Sequence, residues 1–377
     1  MKKVLKVIGI ILVVLLVIAF LIYKFVLQYP EVKTNPKVDK WYRVSDKGMK
    51  SSDGSSYHAF YKKGKENKVM IYFAGGGGSY NEETAKGNGY NKKQIGIDAL
   101  SNFTMNMGGL ATSVDGNPFK DWTIILFPYA TGDFHAGTGE FKYKDNNGND
   151  KILYHYGYTN YSLAMNKLKE LGVIDNPEAV VVTGYSAGAF GASLLADDVY
   201  TNYFPNAKSK NVLVDAGLLL KDDWKDILTN VWESPKSISS KSLTNNITLD
   251  CLKSLHENYG DDIHLLFDIS TRDGDLAMAQ NGFDTGVEEI NEEIADKYQQ
   301  TLKNEIPKLK DVGTYVFIWD GLSYYDDPRN MTMHTIIAQP NVFKVFEEQN
   351  KSIAGWLDEA VNGKLADYGL NLLDKKY

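Results

Sequence analysis

The sequence of 377 residues has a single cysteine, Cys251. That excludes an intrachain disulfide and any metal site built from cysteines, and it marks Cys251 as a small buried apolar residue. Positive charge is in deficit: 41 Lys and Arg stand against 48 Asp and Glu, a net charge of −7. No broad cationic surface for nucleic acid follows from that balance. Only six histidines are present, with no H-E-x-x-H string and no Cys/His cluster, so neither a metal nor another cofactor is expected. Internal repeats and long low-complexity segments are absent. Tyrosine, by contrast, is plentiful at 24 residues, which suits contact with carbohydrate or lipid as well as filling core edges.

Long hydrophobic runs are confined to the amino terminus. Lys2, Lys3 and Lys6 precede an uncharged run over residues 7–23, followed by Lys24 and Phe25-Val26-Leu27. The run is near the ~17–25 residues that a bilayer-crossing helix needs. No clear small-residue cleavage site follows it. Residues 1–27 read as a transmembrane signal anchor, with the lysine balance placing the amino terminus inside and the rest of the chain outside. A cleaved secretory signal is the rival. Either reading exports the remainder, and an exported chain without disulfides suits a bacterial cell surface. Residues 28–40, with Pro30 and Pro36, read as a juxtamembrane linker, and residues 41–377 as one domain.

Short apolar runs recur through that domain, at residues 69–73, 123–127, 179–183, 212–214, 264–267 and 315–318. Each is continuous rather than alternating, as parallel strands covered on both faces should be. Helical patterns lie between them, over residues 161–171, 187–200, 286–309 and 343–361. The alternation predicts an α/β fold, hydrolase-like, with a mostly parallel central sheet and helices on both faces. Residues 218–262 fit the rhythm poorly and are a candidate helical lid, or an insertion packed on the body.

The third run ends in Val182-Thr183-Gly184-Tyr185-Ser186-Ala187-Gly188, which is a G-x-S-x-G string between a strand and a helix. In that context it is a nucleophile elbow: a sharp turn lifts the Ser186 hydroxyl above the sheet, and the following helix aims N–H groups at developing negative charge. A tight turn in a binding-only α/β domain is the bland alternative. A serine needs a base and an acid to orient it, in the chain order Ser, Asp or Glu, His. His256 falls in the insertion and His264 begins an apolar run. His334 follows the last apolar run, where it is expected to open a helix, and is the expected base. Asp273 is the expected acid, with Asp275 in reserve and Asp268 disfavoured because it lies within a strand. Oxyanion donors are expected from the Ala187 amide and from the loop Ala74-Gly75-Gly76-Gly77-Gly78-Ser79, at Gly77 and Gly78 with Gly76 less favoured. A phosphate loop fails because no Gly-Lys-Ser/Thr follows.

Four blocks together resemble the pectin acetylesterase family. They are residues 74–79, the string Phe127-Pro128-Tyr129-Ala130-Thr131-Gly132-Asp133-Phe134-His135-Ala136-Gly137, the Ser186 elbow, and Val214-Asp215-Ala216-Gly217. The second is the most specific, being similar to the family's P-Y-C-T-G-D-x-H-x-G. The family's cysteines are replaced here by Ser79 and Ala130, and its tryptophan by Gly78. By this resemblance the family's serine, acid and base fall on Ser186, Asp273 and His334, and its oxyanion donors on Gly77, Gly78 and Ala187. The implied activity is an outward-facing serine carboxylesterase that removes acyl, expectedly acetyl, groups from an acylated glycan. A catalytically silent hydrolase-fold binding protein and a lipase-like or protein deacylase are the alternatives.

Overall fold

The computed structural model describes Val13, Val14 and Val17, together with residues 29–94, 98–321 and 330–377. The proposed anchor over residues 1–27 lies almost wholly outside the described residues. Among the described residues, no helix is long and apolar enough to cross a membrane.

The apolar runs assemble side by side. β3 (Lys68–Phe73), β4 (Thr123–Phe127), β7 (Ala179–Tyr185), β8 (Ser209–Asp215), β9 (Ile263–Ser270) and β10 (Thr314–Trp319) pair in parallel. Two further strands, β1 (Trp41–Lys50) and β2 (Ser56–Lys62), extend one edge, giving the order β1-β2-β4-β3-β7-β8-β9-β10. Only β2 runs against its neighbours. A separate hairpin joins β5 (Gly139–Lys144) to β6 (Asp150–His155). Val180, Val181, Val182, Ile124, Ile125 and Leu126 are fully buried, as the continuous apolar pattern requires. Each such side chain contributes about 1.5–3 kcal/mol on leaving water.

Helices cover both faces of this sheet. They include α1 (Gly157–Glu170), α2 (Ala187–Asp198), α3 (Ile247–Tyr259), α4 (Gly274–Thr285), α5 (Glu292–Asp311) and α6 (Ile353–Val361). The fold is therefore α/β and hydrolase-like. Two helix expectations are corrected. The pattern over residues 286–309 belongs to α5, which starts only at Glu292, after Asn291 caps its first turn by accepting from Ile294 N. The pattern over residues 343–361 is helical only from Ile353, where Ser352 supplies the cap.

Residues 218–262 divide in two. α3 is an ordinary crossover helix between β8 and β9. The preceding part seats Trp224 and Trp232, both fully buried, against Phe134 and Phe190. Trp232 Nε1 donates to Ser79 O at 2.7 Å, which ties the segment to the end of the glycine loop.

Candidate active site

β7 runs straight into α2, and Ser186 is the single residue between them. Its backbone sits at φ 53°, ψ −125°, a region that a residue with a side chain rarely adopts and that costs on the order of 1–3 kcal/mol. The glycines on either side make the bend possible. A Cβ at Gly184 would lie 2.1 Å from Gly188 O, and one at Gly188 would lie 2.1 Å from Phe73 O. The Ser186 amide donates to Asp215 O at 2.9 Å, so the turn is pinned to the end of β8.

The glycine loop leaves β3 and passes against this turn. A Cβ at Gly75 would approach Ser186 Cβ to 2.8 Å. The loop is held at its ends, with Ala74 N donating to Phe127 O and Ser79 N to Gly132 O. Among the described residues, the amides of Gly76, Gly77 and Gly78 donate to no backbone oxygen. The Ala187 amide opens α2 and likewise has no backbone acceptor there. The Gly77, Gly78 and Ala187 amides thus have no backbone acceptor; Ala187 directly follows the serine, and the loop that carries Gly77 and Gly78 meets the serine turn at Gly75.

His334 Nδ1 and Asp273 Oδ2 are 2.7 Å apart. Asp273 is fully buried, while 17% of the His334 side chain stays open. The second Asp273 oxygen accepts from Leu276 N and caps α4, which fixes the carboxylate by the fold rather than by the histidine alone. Asp275 sits in the first turn of α4 and is exposed. Burial pulls the His334 imidazole towards its neutral form. The Asp273 charge and hydrogen bond, with Asp275 and Asp215 further off, override that and push it up to about 9.

His334 does not open a helix, contrary to expectation. It lies in an irregular loop whose next residue, Thr335, takes φ 59°. The loop is fastened from below instead. Thr332 N donates to Arg272 O, Arg272 N to Thr332 Oγ1, and Ser270 Oγ to Met333 O. Arg272, 2% exposed, runs beneath it. Its Nε donates to Asn330 O, its guanidinium pairs with Asp296 of α5, and it lies over the Tyr377 ring.

His256 and His264 are placed elsewhere. His256 lies on α3 facing Gly313, and His264 Nδ1 meets Asn211 Oδ1 at 2.8 Å. Among the described residues, no group of three or more His, Cys, Asp or Glu is placed to hold a metal ion.

One supporting network carried no assigned role in the sequence, although its T-G-D-x-H string was visible. Asp133 is fully buried and accepts four hydrogen bonds: Thr131 Oγ1 at 2.6 Å, His135 N at 3.1 Å, Gly137 N at 3.1 Å and Gly157 N at 2.7 Å. Burial raises its carboxyl to about 6 against the pull of those donors. Burial also holds His135 down, at about 4, so its ring is neutral and Nε2–H donates to Ala74 O at 2.8 Å. The network therefore fixes the start of the glycine loop to the start of α1. Asp133→Ala strands three buried amides and a hydroxyl, each costing about 1–3 kcal/mol. The expected loss is about 3–5 kcal/mol, read as a lower urea midpoint with an unchanged slope. A loss under about 1 kcal/mol, within the range of an exposed substitution, contradicts this role.

Residues 38–262 match the family model described as Pectinacetylesterase. No curated protein matches the sequence. Among solved structures, the Wnt deacylase Notum from Drosophila is similar in fold, with a TM-score of 0.58 at 15% identity. The likeness covers 88% of this chain and 96% of that one.

Proposed function

Because this chain belongs to the pectinacetylesterase family, we propose that it cleaves its ester through a Ser186–His334–Asp273 triad and an acyl-enzyme. It is a serine esterase, and these residues are our assignment of its machinery. One observation carries the reading. Asp215 accepts from Ser186 N through its carbonyl and from Ile336 N and Ile337 N through Oδ2, each at 2.9 Å. The serine turn and the histidine loop are therefore bolted to the same residue.

Ser186 Oγ attacks the acyl carbonyl, and its proton passes to His334 Nε2. Asp273 Oδ2 holds the other nitrogen as Nδ1–H, which fixes the tautomer and stabilises the imidazolium that forms. The amides of Ala187, Gly77 and Gly78 take the oxyanion. His334 then protonates the departing alcohol, and water, deprotonated by His334 in turn, releases the acid.

For the substrate we propose a small acyl group, acetyl first, on an acylated glycan. The family name supports the acetyl group. We further propose that residues 1–27 anchor the chain in a bacterial cell membrane with the esterase outside, which places it beside surface glycans. Release of acetate from acetylated glycans, measured against short- and long-chain p-nitrophenyl esters, tests the substrate. Acetate release and faster turnover of the short esters are expected. Preference for the long chains supports instead a lipase-like or protein deacylase; Notum is named as a deacylase of Wnt.

The raised His334 value makes a second prediction. The base must be neutral to accept a proton, so kcat/KM should rise with pH across neutrality. Its half-point should lie above the free imidazole value of about 6.5 and towards about 9. A half-point below 6.5, after subtraction of spontaneous hydrolysis, contradicts the assignment.

A further inference from the structure

Beneath the site, β8 and β9 bring two buried carboxyl groups together. Asp215 and Asp268 are register partners on these parallel strands, so their side chains leave the same face of the sheet. Both are fully buried, and each lies close enough to shift the other's ionisation. Each has one oxygen already spent: Asp215 Oδ2 accepts from Ile336 N and Ile337 N, and Asp268 Oδ2 accepts from Trp319 Nε1 at 3.2 Å. The other oxygen of each, Oδ1, has no donor from any described residue. Among the described residues, no lysine or arginine forms a salt bridge with either carboxyl.

Two carboxylates cannot both be charged in contact inside a protein. A proton between them removes the repulsion and satisfies both orphaned oxygens at once. The other groups facing the pair give the order. Tyr72 from β3 and Tyr185 from β7 approach Asp215 and are neutral phenols raised by burial. His334 lies on the loop side of Asp215 and favours its charge. Asp268 has only an indole N–H from β10, and burial followed by the neighbouring Asp215 charge raises it well above the carboxylate range.

We propose that Asp215 and Asp268 hold one proton between their Oδ1 atoms, Asp268 as the neutral donor and Asp215 as the carboxylate, and that the Asp215 carboxylate is thereby a positioning residue for the His334 loop. The second half rests on the triad reading above. The backbone explains why such a clamp is needed. Ser186, Ala216 and Thr335 all take positive φ, at 53°, 56° and 59°, and all three are tied to this pair or adjoin a residue that is. Ser186 N bonds to Asp215 O, Ala216 N bonds to Asp268 O, and Thr335 immediately precedes the two amides on Asp215 Oδ2. Strained residues persist only where their surroundings over-determine them. A full charge on Asp215 strengthens both of its amide bonds. The neutral Asp268 supplies that charge with a donor and adds no second charge.

Infrared spectroscopy of the full chain with 13C-labelled aspartate tests the proton directly. At pH 8, where Asp133 is ionised, the wild type should show an isotope-sensitive C=O stretch of an un-ionised carboxylic acid. The band should vanish in Asp268→Asn. Asp268→Asn keeps a donor towards Asp215 and should hold kcat/KM within about threefold, with the His334 half-point unmoved. Asp215→Asn moves the charge away from the loop. It should cut kcat/KM by about 10²-fold, the cost of a misplaced catalytic group, and move the His334 half-point to lower pH. An absent band in the wild type, or equal damage from the two asparagine variants, overturns the proposal. The band is read without turnover, so it survives or fails independently of Ser186. If Ser186→Ala remained active, the triad would fall while the shared proton stood.

Discussion

Ser186→Ala should lower ester hydrolysis by about 10³–10⁶-fold while leaving the protein folded. The magnitude follows from what the residue supplies. The hydroxyl oxygen is the only heavy atom removed, and in the proposed mechanism no acyl-enzyme forms without it, so the reaction falls back on direct attack by water aided by the remaining amides. Folding should not suffer, because the contacts that hold the turn are made by the backbone. The Ser186 amide, not its side chain, bonds to Asp215, and the side chain makes no cap bond to α2. Alanine at φ 53° carries the same strain that serine does. A kcat/KM assay on p-nitrophenyl acetate, paired with a thermal melt, reads both quantities. A loss of less than tenfold in a folded variant would contradict the nucleophile assignment.

Asp273→Asn should cost about 10³–10⁴-fold in kcat, nearly as much as loss of the nucleophile, through a different cause. In the proposed triad the carboxylate beside His334 Nδ1 accepts its proton and leaves Nε2 free to take the serine proton. An asparagine amide in the same place donates to Nδ1 and pushes the ring proton to Nε2. The base is then in the wrong tautomer. The variant should fold, since its Oδ1 still accepts from Leu276 N and caps α4. It should also lower the His334 half-point, because the charge that raises it is gone. Asp275→Asn, altering an exposed side chain in the first turn of α4, should be nearly silent. The comparison separates the two acids. If Asp275→Asn were the damaging change, the acid would be misassigned.

Much of this was legible because its physics is local. The buried strands announce themselves as unbroken β-branched runs, and Thr123–Phe127 has the bounds expected of it. The elbow needs two glycines at fixed spacing, and a backbone atom sits where each missing side chain would lie. The strands β1 and β2 at one edge, and the β5–β6 hairpin, were not legible. β1 carries Arg43, Asp46 and Lys47 with one side open to water, so its apolar pattern is broken. β5 did offer a signal, since Glu140, Phe141, Lys142, Tyr143 and Lys144 alternate in polarity. The setting of His334 was beyond reach for another reason. Its loop is shaped by Arg272, Thr332 and Asp215, each distant in sequence from the elbow or from the loop they fasten. Asp215 and Asp133 stood in visible motifs, yet a motif does not say which of its atoms are buried or who donates to them. Asp268 was set aside as an acid because it lies within a strand, and its strand position is what places it against Asp215.

In the proposed mechanism Ser186 becomes acylated because His334 activates it. Labelling with a fluorophosphonate, followed by peptide mass spectrometry, tests it most directly. A single adduct on Ser186 is expected in the wild type, none in Ser186→Ala, and much slower labelling in His334→Ala. An adduct on another residue, or an unlabelled wild type that still releases acetate, would contradict it.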